Sequence, residues 1–252
     1  MKIIGYSERG LINSLLFEIK YSQNSLEILN QFLTSITFPY RNITFKVLNA
    51  KILIEQSFSD FGDADMVFLV NNNENKQIIF IEAKVKTFQN QCWTIRNEFE
   101  QLKEGIQQNK VSSSNLFTQL YYKLRLTQTL QSGGLNQLQK GVRFPVCSSK
   151  TNRKIGNNKV VLKAVNELVP YCGDVLFVAL VPDITSDLDS FYQKILKNYS
   201  PDRFQDWDVK NWGYLSWEKV EAFCKINNLE GTLKAFEWNE GQIYEKRQGN
   251  SR

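Results

Sequence analysis

No histidine occurs among the 252 residues, and that absence removes Ser-His-Asp and Cys-His triads, His-Glu-x-x-His metalloproteases and any nuclease that relies on a histidine base. Neither a Walker A pattern nor a Gly-x-Ser-x-Gly elbow is present, so P-loop nucleotide hydrolysis and esterase chemistry lose their usual signatures. No apolar run reaches the roughly 20 residues that cross a bilayer. The opening Met1-Lys-Ile-Ile-Gly-Tyr-Ser-Glu-Arg also lacks the apolar stretch of a secretory signal, and the expected location is the cytoplasm. The four cysteines, Cys92, Cys147, Cys172 and Cys224, form no Cys-x-x-Cys pair, which fits packed reduced thiols better than disulfides or a zinc cluster. Repeats and low-complexity tracts are lacking too. Any catalysis must therefore run on carboxylates, lysines and a metal.

Acidic residues are missing altogether from Gly105 to Asn166, a stretch that carries Lys110, Lys123, Arg125, Lys140, Arg143, Lys150, Arg153, Lys154, Lys159 and Lys163. Set against a formal net charge of +5, these ten leave the remainder of the chain at −5. Such asymmetry points to a polyanionic partner, because phosphates are repelled by carboxylates and drawn to Lys and Arg. A solvated basic face with no partner is the bland alternative. No basic amphipathic helix with a Trp or Phe face suits a membrane surface, so nucleic acid is the expected partner, DNA favoured over RNA.

What is present suffices for a folded α/β protein: 42% hydrophobic and 23% charged residues. Helical spacing of Leu11, Ile12, Leu15, Leu16 and Ile19 after Ser7 predicts a first helix, and Leu26 to Phe32 a second. Phe45 to Ile54, Met66 to Val70 and Gln77 to Val85 read as strands. The polar stretch from Asn71 to Lys76 makes the last two an antiparallel hairpin. Helices are expected over Glu98 to Ile106 and Leu116 to Leu126, a break at Gln131-Ser-Gly-Gly134, a basic loop-rich insertion from about Leu135 to Lys159, and a helix from Lys159 to Leu168. Val175 to Val181, apolar throughout, reads as a strand buried on both faces. The C-terminal part, with Trp207, Trp212, Trp217 and Trp238, is expected to be helical, its aromatics packing the core rather than stacking on bases. One domain over 1–252 accommodates all of this.

Residues two apart on a strand share a face, so Phe80, Glu82, Lys84 and Lys86 point one way and Ile79, Ile81, Ala83 and Val85 the other. Two charges thus sit at the end of an apolar strand where Thr or Val would be ordinary. Upstream, Gly62-Asp-Ala-Asp65 runs into Met66, and hairpin pairing can bring Asp65 beside Glu82. Two carboxylates with the Ala83 carbonyl make the incomplete oxygen shell that Mg2+ or Mn2+ prefers, and Lys84 can orient or deprotonate water there. The Glu-x-Lys triplet by itself is uninformative, since Glu18-Ile-Lys20 and Glu74-Asn-Lys76 repeat it. Only Glu82-Ala-Lys84 combines a strand, an apolar lead-in and a preceding Asp at a strand start. The alternative is a structural hairpin with a surface salt bridge between Glu82 and Lys84.

This pattern resembles the PD-(D/E)XK nuclease superfamily over roughly Glu8 to Lys123, with Val175 to Val181 matching a later core strand; Ala64 stands where the family has proline. The resemblance implies a restriction-endonuclease-like core, a central mixed sheet flanked by helices, in which Asp65 and Glu82 bind metal and Lys84 serves the nucleophile. It also implies a glutamate from the first helix, at Glu8, and a glutamine on a later helix, at Gln119 of Gln119-Leu-Tyr-Tyr-Lys123. For Glu8, favouring a helix N-terminus is an equal reading; for Asp63 a turn role is preferred. The expected activity is metal-dependent phosphodiester hydrolysis, with nucleic acid held by Lys123, Arg143, Lys150, Arg153, Lys154 and Lys159. A homodimer is compatible with it. Two other readings stay open: a non-catalytic nucleic-acid-binding module on the same fold, and a protein-interaction scaffold.

Overall fold

Alternation along the strands decides the architecture. In β3 (Lys76–Ala83) and β6 (Val175–Val181), Ile78, Phe80, Phe177, Ala179 and Val181 enter one apolar cluster. Ile79, Ile81, Ala83, Leu176, Val178 and Leu180 enter another on the opposite face. A sheet apolar on both faces must be covered on both, and the helices sort accordingly. The computed structural model describes residues 7–72, 75–86, 93–144, 152–199, 207–239 and 242–244.

The sheet is mixed, five-stranded and ordered β1-β2-β3-β6-β7, with β1 (Val47–Ser57), β2 (Asp63–Asn72) and β7 (Trp212–Ser216) completing it. Pairing is antiparallel for β1 with β2 and β2 with β3, and parallel for β3 with β6 and β6 with β7. Helices α1 (Glu8–Tyr21) and α2 (Ser25–Thr34) bring Leu11, Leu15, Phe32 and Leu33 to one face. On the other, α3 (Ile95–Gln107) and α4 (Leu116–Lys140) supply Phe99, Leu102, Phe117 and Leu120. Between α4 and β6 lie the short antiparallel ribbon β4 (Val142–Arg143) and β5 (Asn152–Arg153), then α5 (Lys159–Leu168); α6 (Thr185–Lys194) follows β6, and α7 (Trp217–Ile226) and α8 (Glu230–Trp238) follow β7.

Local chemistry places the helix starts. Ser7 Oγ accepts from Gly10 N at 2.8 Å, Asn115 Oδ1 accepts from Phe117 N and Thr118 N, and Asn158 Oδ1 accepts from Val160 N, each satisfying a donor that the first turn leaves unpaired. The expected break falls at Gly134, whose φ of 65° and ψ of −167° interrupt α4, but helix resumes beyond it to Lys140. Helix therefore takes the first residues of the stretch read as loop-rich. The C-terminal part, expected to be helical, contains α7 and α8 but also contributes Trp212–Ser216 as β7 against β6. Its run of five residues is short and aromatic, and packing on β6 overrides its weak local signal. Among the described residues no helix is long and apolar enough to cross a membrane. Cys172 and Cys224 are buried free thiols; Cys92 and Cys147 lie outside the described residues.

Candidate active site

The β2–β3 register pairs Met66 with Ile81, so one step further Asp65 stands opposite Glu82 on the same face of the hairpin. Asp65 Oδ2 accepts from Ala83 N at 2.7 Å. Lys84 N donates to Leu180 O on β6. Because that peptide is trans, the Ala83 carbonyl points the opposite way, to the β2 side where Asp65 lies. The two carboxylates and the carbonyl expected to share a cation thus converge on one end of the sheet.

Glu82 is 1% exposed and its ion pair is with Lys123, 0% exposed, whose Nζ lies 3.1 Å from Oε1. Lys123 offsets part of the cost of burying Oε1, whereas Oε2 has no hydrogen-bond donor, a cost that a further partner at that oxygen would offset. Burial pushes its carboxyl up to about 7, opposed by Lys123 and assisted by the charge of Asp65. Glu8, at the first position of α1 and half-buried, is pushed up to about 8, chiefly by burial and next by Asp65, with Lys84 lowering it and Glu82 raising it further. Glu8 therefore lies within electrostatic reach of all three charges of the hairpin. Lys84 Nζ donates to Gln119 Oε1 at 2.7 Å, and Trp217 Nε1 donates to the Lys84 carbonyl at 2.8 Å. No Glu82–Lys84 surface pair exists, because each of the two has a different partner.

Gln119 reaches Lys84 because the start of α4 is pinned to α3: Glu98 Oε1 accepts from Leu116 N and Asn115 Nδ2 donates to Glu98 O. One turn on, Lys123 donates to the carbonyls of Phe61 and Asp63 at 3.1 and 2.8 Å. Asp63 itself is exposed. Gly62, between those carbonyls, has φ 77° and ψ 171°, a region essentially restricted to glycine. Gly62→Ala is expected to cost about 1–3 kcal/mol in a denaturant melt; an unchanged midpoint would show that the turn relaxes freely.

Two residues expected to hold nucleic acid are not at the surface. Lys123 is sealed against Glu82. Arg153 is buried, its guanidinium 3.8 Å above the Tyr122 ring, donating to Tyr122 Oη at 2.6 Å and to the Asp60 carbonyl. Both side chains find their partners inside the fold, on the turn that leads into β2, on α4 and, for Lys123, on β3. The ribbon's other basic groups, Arg143 and Lys154, are exposed, as is Lys159. Asp60 N donates to the Lys154 carbonyl, Lys154 N donates to Asp60 Oδ2 and Gly156 N donates to Ser59 Oγ, which fixes the ribbon beside the turn preceding Asp63. Lys150 lies outside the described residues.

Past the carboxyl end of β6, the start of α3 and the first turns of α6 border a cleft of about 250 Å³ lined by Thr94, Ile95, Arg96, Asp183 and Asp187. An adjoining cavity of about 170 Å³ adds Lys86 and Trp93. Burial pushes Asp183 up to about 6 although Ile95 N donates to it. Sequence reasoning passed over Asp183; its only signal was its place directly after the buried strand and Pro182. Among the described residues, no three or more Asp, Glu, Cys or His side chains stand together as a ready-made metal cluster. Comparison of the chain with protein-family models, curated proteins and solved structures returns no match.

Proposed function

We propose that this chain is a divalent-metal-dependent nuclease, with a core of the restriction-endonuclease type, that hydrolyses phosphodiester bonds, DNA being favoured over RNA. The observation that carries the reading is Glu82: a carboxylate 1% exposed, with the Lys123 ammonium 3.1 Å from Oε1 and no hydrogen-bond donor on Oε2, opposite Asp65 at the carboxyl end of β3. Asp65, Glu82 and the Ala83 carbonyl would hold Mg2+ or Mn2+, with Glu8 adding a carboxylate from α1. When bound, such a cation supplies Lewis-acid polarisation and a more acidic water. Lys84, its ammonium oriented by Gln119, steadies the attacking water or the charge that develops on phosphate. Arg143, Lys154 and Lys159 contribute phosphate attraction, Arg being suited to bidentate contacts.

Cleavage of mixed single- and double-stranded DNA and RNA with Mg2+ or Mn2+, against chelator, tests this. Asp65→Asn preserves an acceptor for Ala83 N and is expected to lower the rate at least about 10²-fold, the scale on which single electrostatic groups act. A non-catalytic nucleic-acid-binding module is favoured by one observation, the absence of a closed carboxylate cluster among the described residues. Salt-sensitive binding without cleavage by either protein would select it.

A further inference from the structure

Lys123 is the most completely buried cation described here, and its surroundings are specific. Its ammonium has three donors and no acceptor capacity. Two protons go to the carbonyls of Phe61 and Asp63, on either side of Gly62, and the same nitrogen makes the 3.1 Å ion contact with Glu82. An added Cβ at Gly62 would sit 3.5 Å from that nitrogen. One group on α4 therefore grips both the turn that aims Asp65 and the carboxylate opposite it. Stability alone is a poor reason for such a pair, because well-packed apolar residues of similar volume often do as well or better. Asp65 and Glu82 come from the two strands of one hairpin, beyond the last ladder pair, Met66 with Ile81. Past that point the bond from Ala83 N to Asp65 Oδ2 joins the two sides, and Lys123 adds the contact that holds the Glu82 carboxylate itself.

We propose that Lys123 is a positioning residue of the metal site, fixing Glu82 Oε1 and the Asp63–Asp65 segment in one relation so that Glu82 Oε2, Asp65 and the Ala83 carbonyl are left to bind a divalent cation. This rests on the nuclease reading above, and it assigns Lys123 no contact with nucleic acid. The lysine's charge acts inward, on ligand geometry, and the substrate is held by other residues.

The test is calorimetric titration of Mn2+ into the nucleic-acid-free protein, for wild type, Lys123→Met, Lys123→Gln and, as an exposed-charge control, Lys194→Gln. Lys123→Gln retains a donor for one of the two carbonyls and is the variant more able to fold. Expected is Mn2+ affinity at least about tenfold weaker in either folded Lys123 variant and unchanged in the control, with DNA affinity within about twofold of wild type. Cleavage by those variants should recover as Mn2+ is raised, a shift in metal requirement that a purely structural role would not produce. Wild-type affinity for Mn2+ in a folded Lys123 variant overturns the proposal, as does a wild type that binds no Mn2+. Should neither variant fold, the slow-exchanging ammonium signal of Lys123 is followed by NMR in the Lys84→Ala protein. Movement on Mg2+ saturation supports the proposal and an unmoved signal overturns it. A wild type that binds Mn2+ through Lys123-dependent geometry yet cuts nothing removes the nuclease reading alone.

Discussion

Glu82→Ala is expected to abolish cleavage and to destabilise the protein by about 3–5 kcal/mol, the scale for removing one partner of a buried ion pair. The loss is large because Lys123 is 0% exposed and its ammonium would be left without a countercharge. Against a typical total of about 5–15 kcal/mol, that is a major fraction. Glu82→Ala combined with Lys123→Met removes both charges and is expected to regain most of the stability while remaining inactive. Denaturant unfolding of the two proteins reads this directly. A single-variant loss under about 1 kcal/mol, the value typical of exposed pairs, would show that water reaches the pair.

The second large effect is on pH. Burial raises the carboxyl of Glu8 from 4.5 to about 8 and that of Glu82 from 4.5 to about 7. Between the unfolded and folded values the native state binds more protons than the unfolded state, so unfolding free energy falls as pH rises through that window. The stabilising contribution is complete below about pH 4.5 and gone above about pH 8. In chelator, the unfolding free energy should therefore decline by on the order of a few kcal/mol from about pH 5 to pH 8, and Tm should fall with it. Saturating Mg2+ should flatten the slope, since a bound cation favours the ionised carboxylates. Glu8→Gln should remove the upper part of the decline. A Tm that rises across this range without metal would refute the assignment of raised carboxyl values to these two residues.

Much of the hairpin and of the side-chain placement at its end was legible in the sequence. Period-two alternation in 77–85 separated Phe80 and Glu82 from Ile79, Ile81 and Ala83, and the two apolar clusters divide Phe80 from Ile79, Ile81 and Ala83 in the same way. The polar turn placed Asp65 opposite Glu82. Gln119, 35 residues from Lys84, was drawn from the family resemblance and meets it at 2.7 Å. What the sequence concealed was direction. Lys123 and Arg153 sit in an acid-free stretch, and a basic residue without acidic neighbours in sequence reads as solvent-facing. Their partners, the Phe61, Asp63 and Asp60 carbonyls, Glu82 and the Tyr122 ring, are mostly distant in sequence or main-chain atoms that carry no residue signature. β7 escaped because five residues offer too little periodicity to compete with the aromatic background around them.

The sealed pair between α4 and β3 also constrains how this sequence can change over evolutionary time. A single substitution at 82 or 123 leaves an unmatched buried charge, whereas a joint exchange to two apolar residues can retain the fold while surrendering the site. Drift at these two positions is therefore coupled. A descendant that loses the function is expected to lose both charges together, while one that keeps the function keeps both, even where the exposed lysines of the ribbon have been replaced.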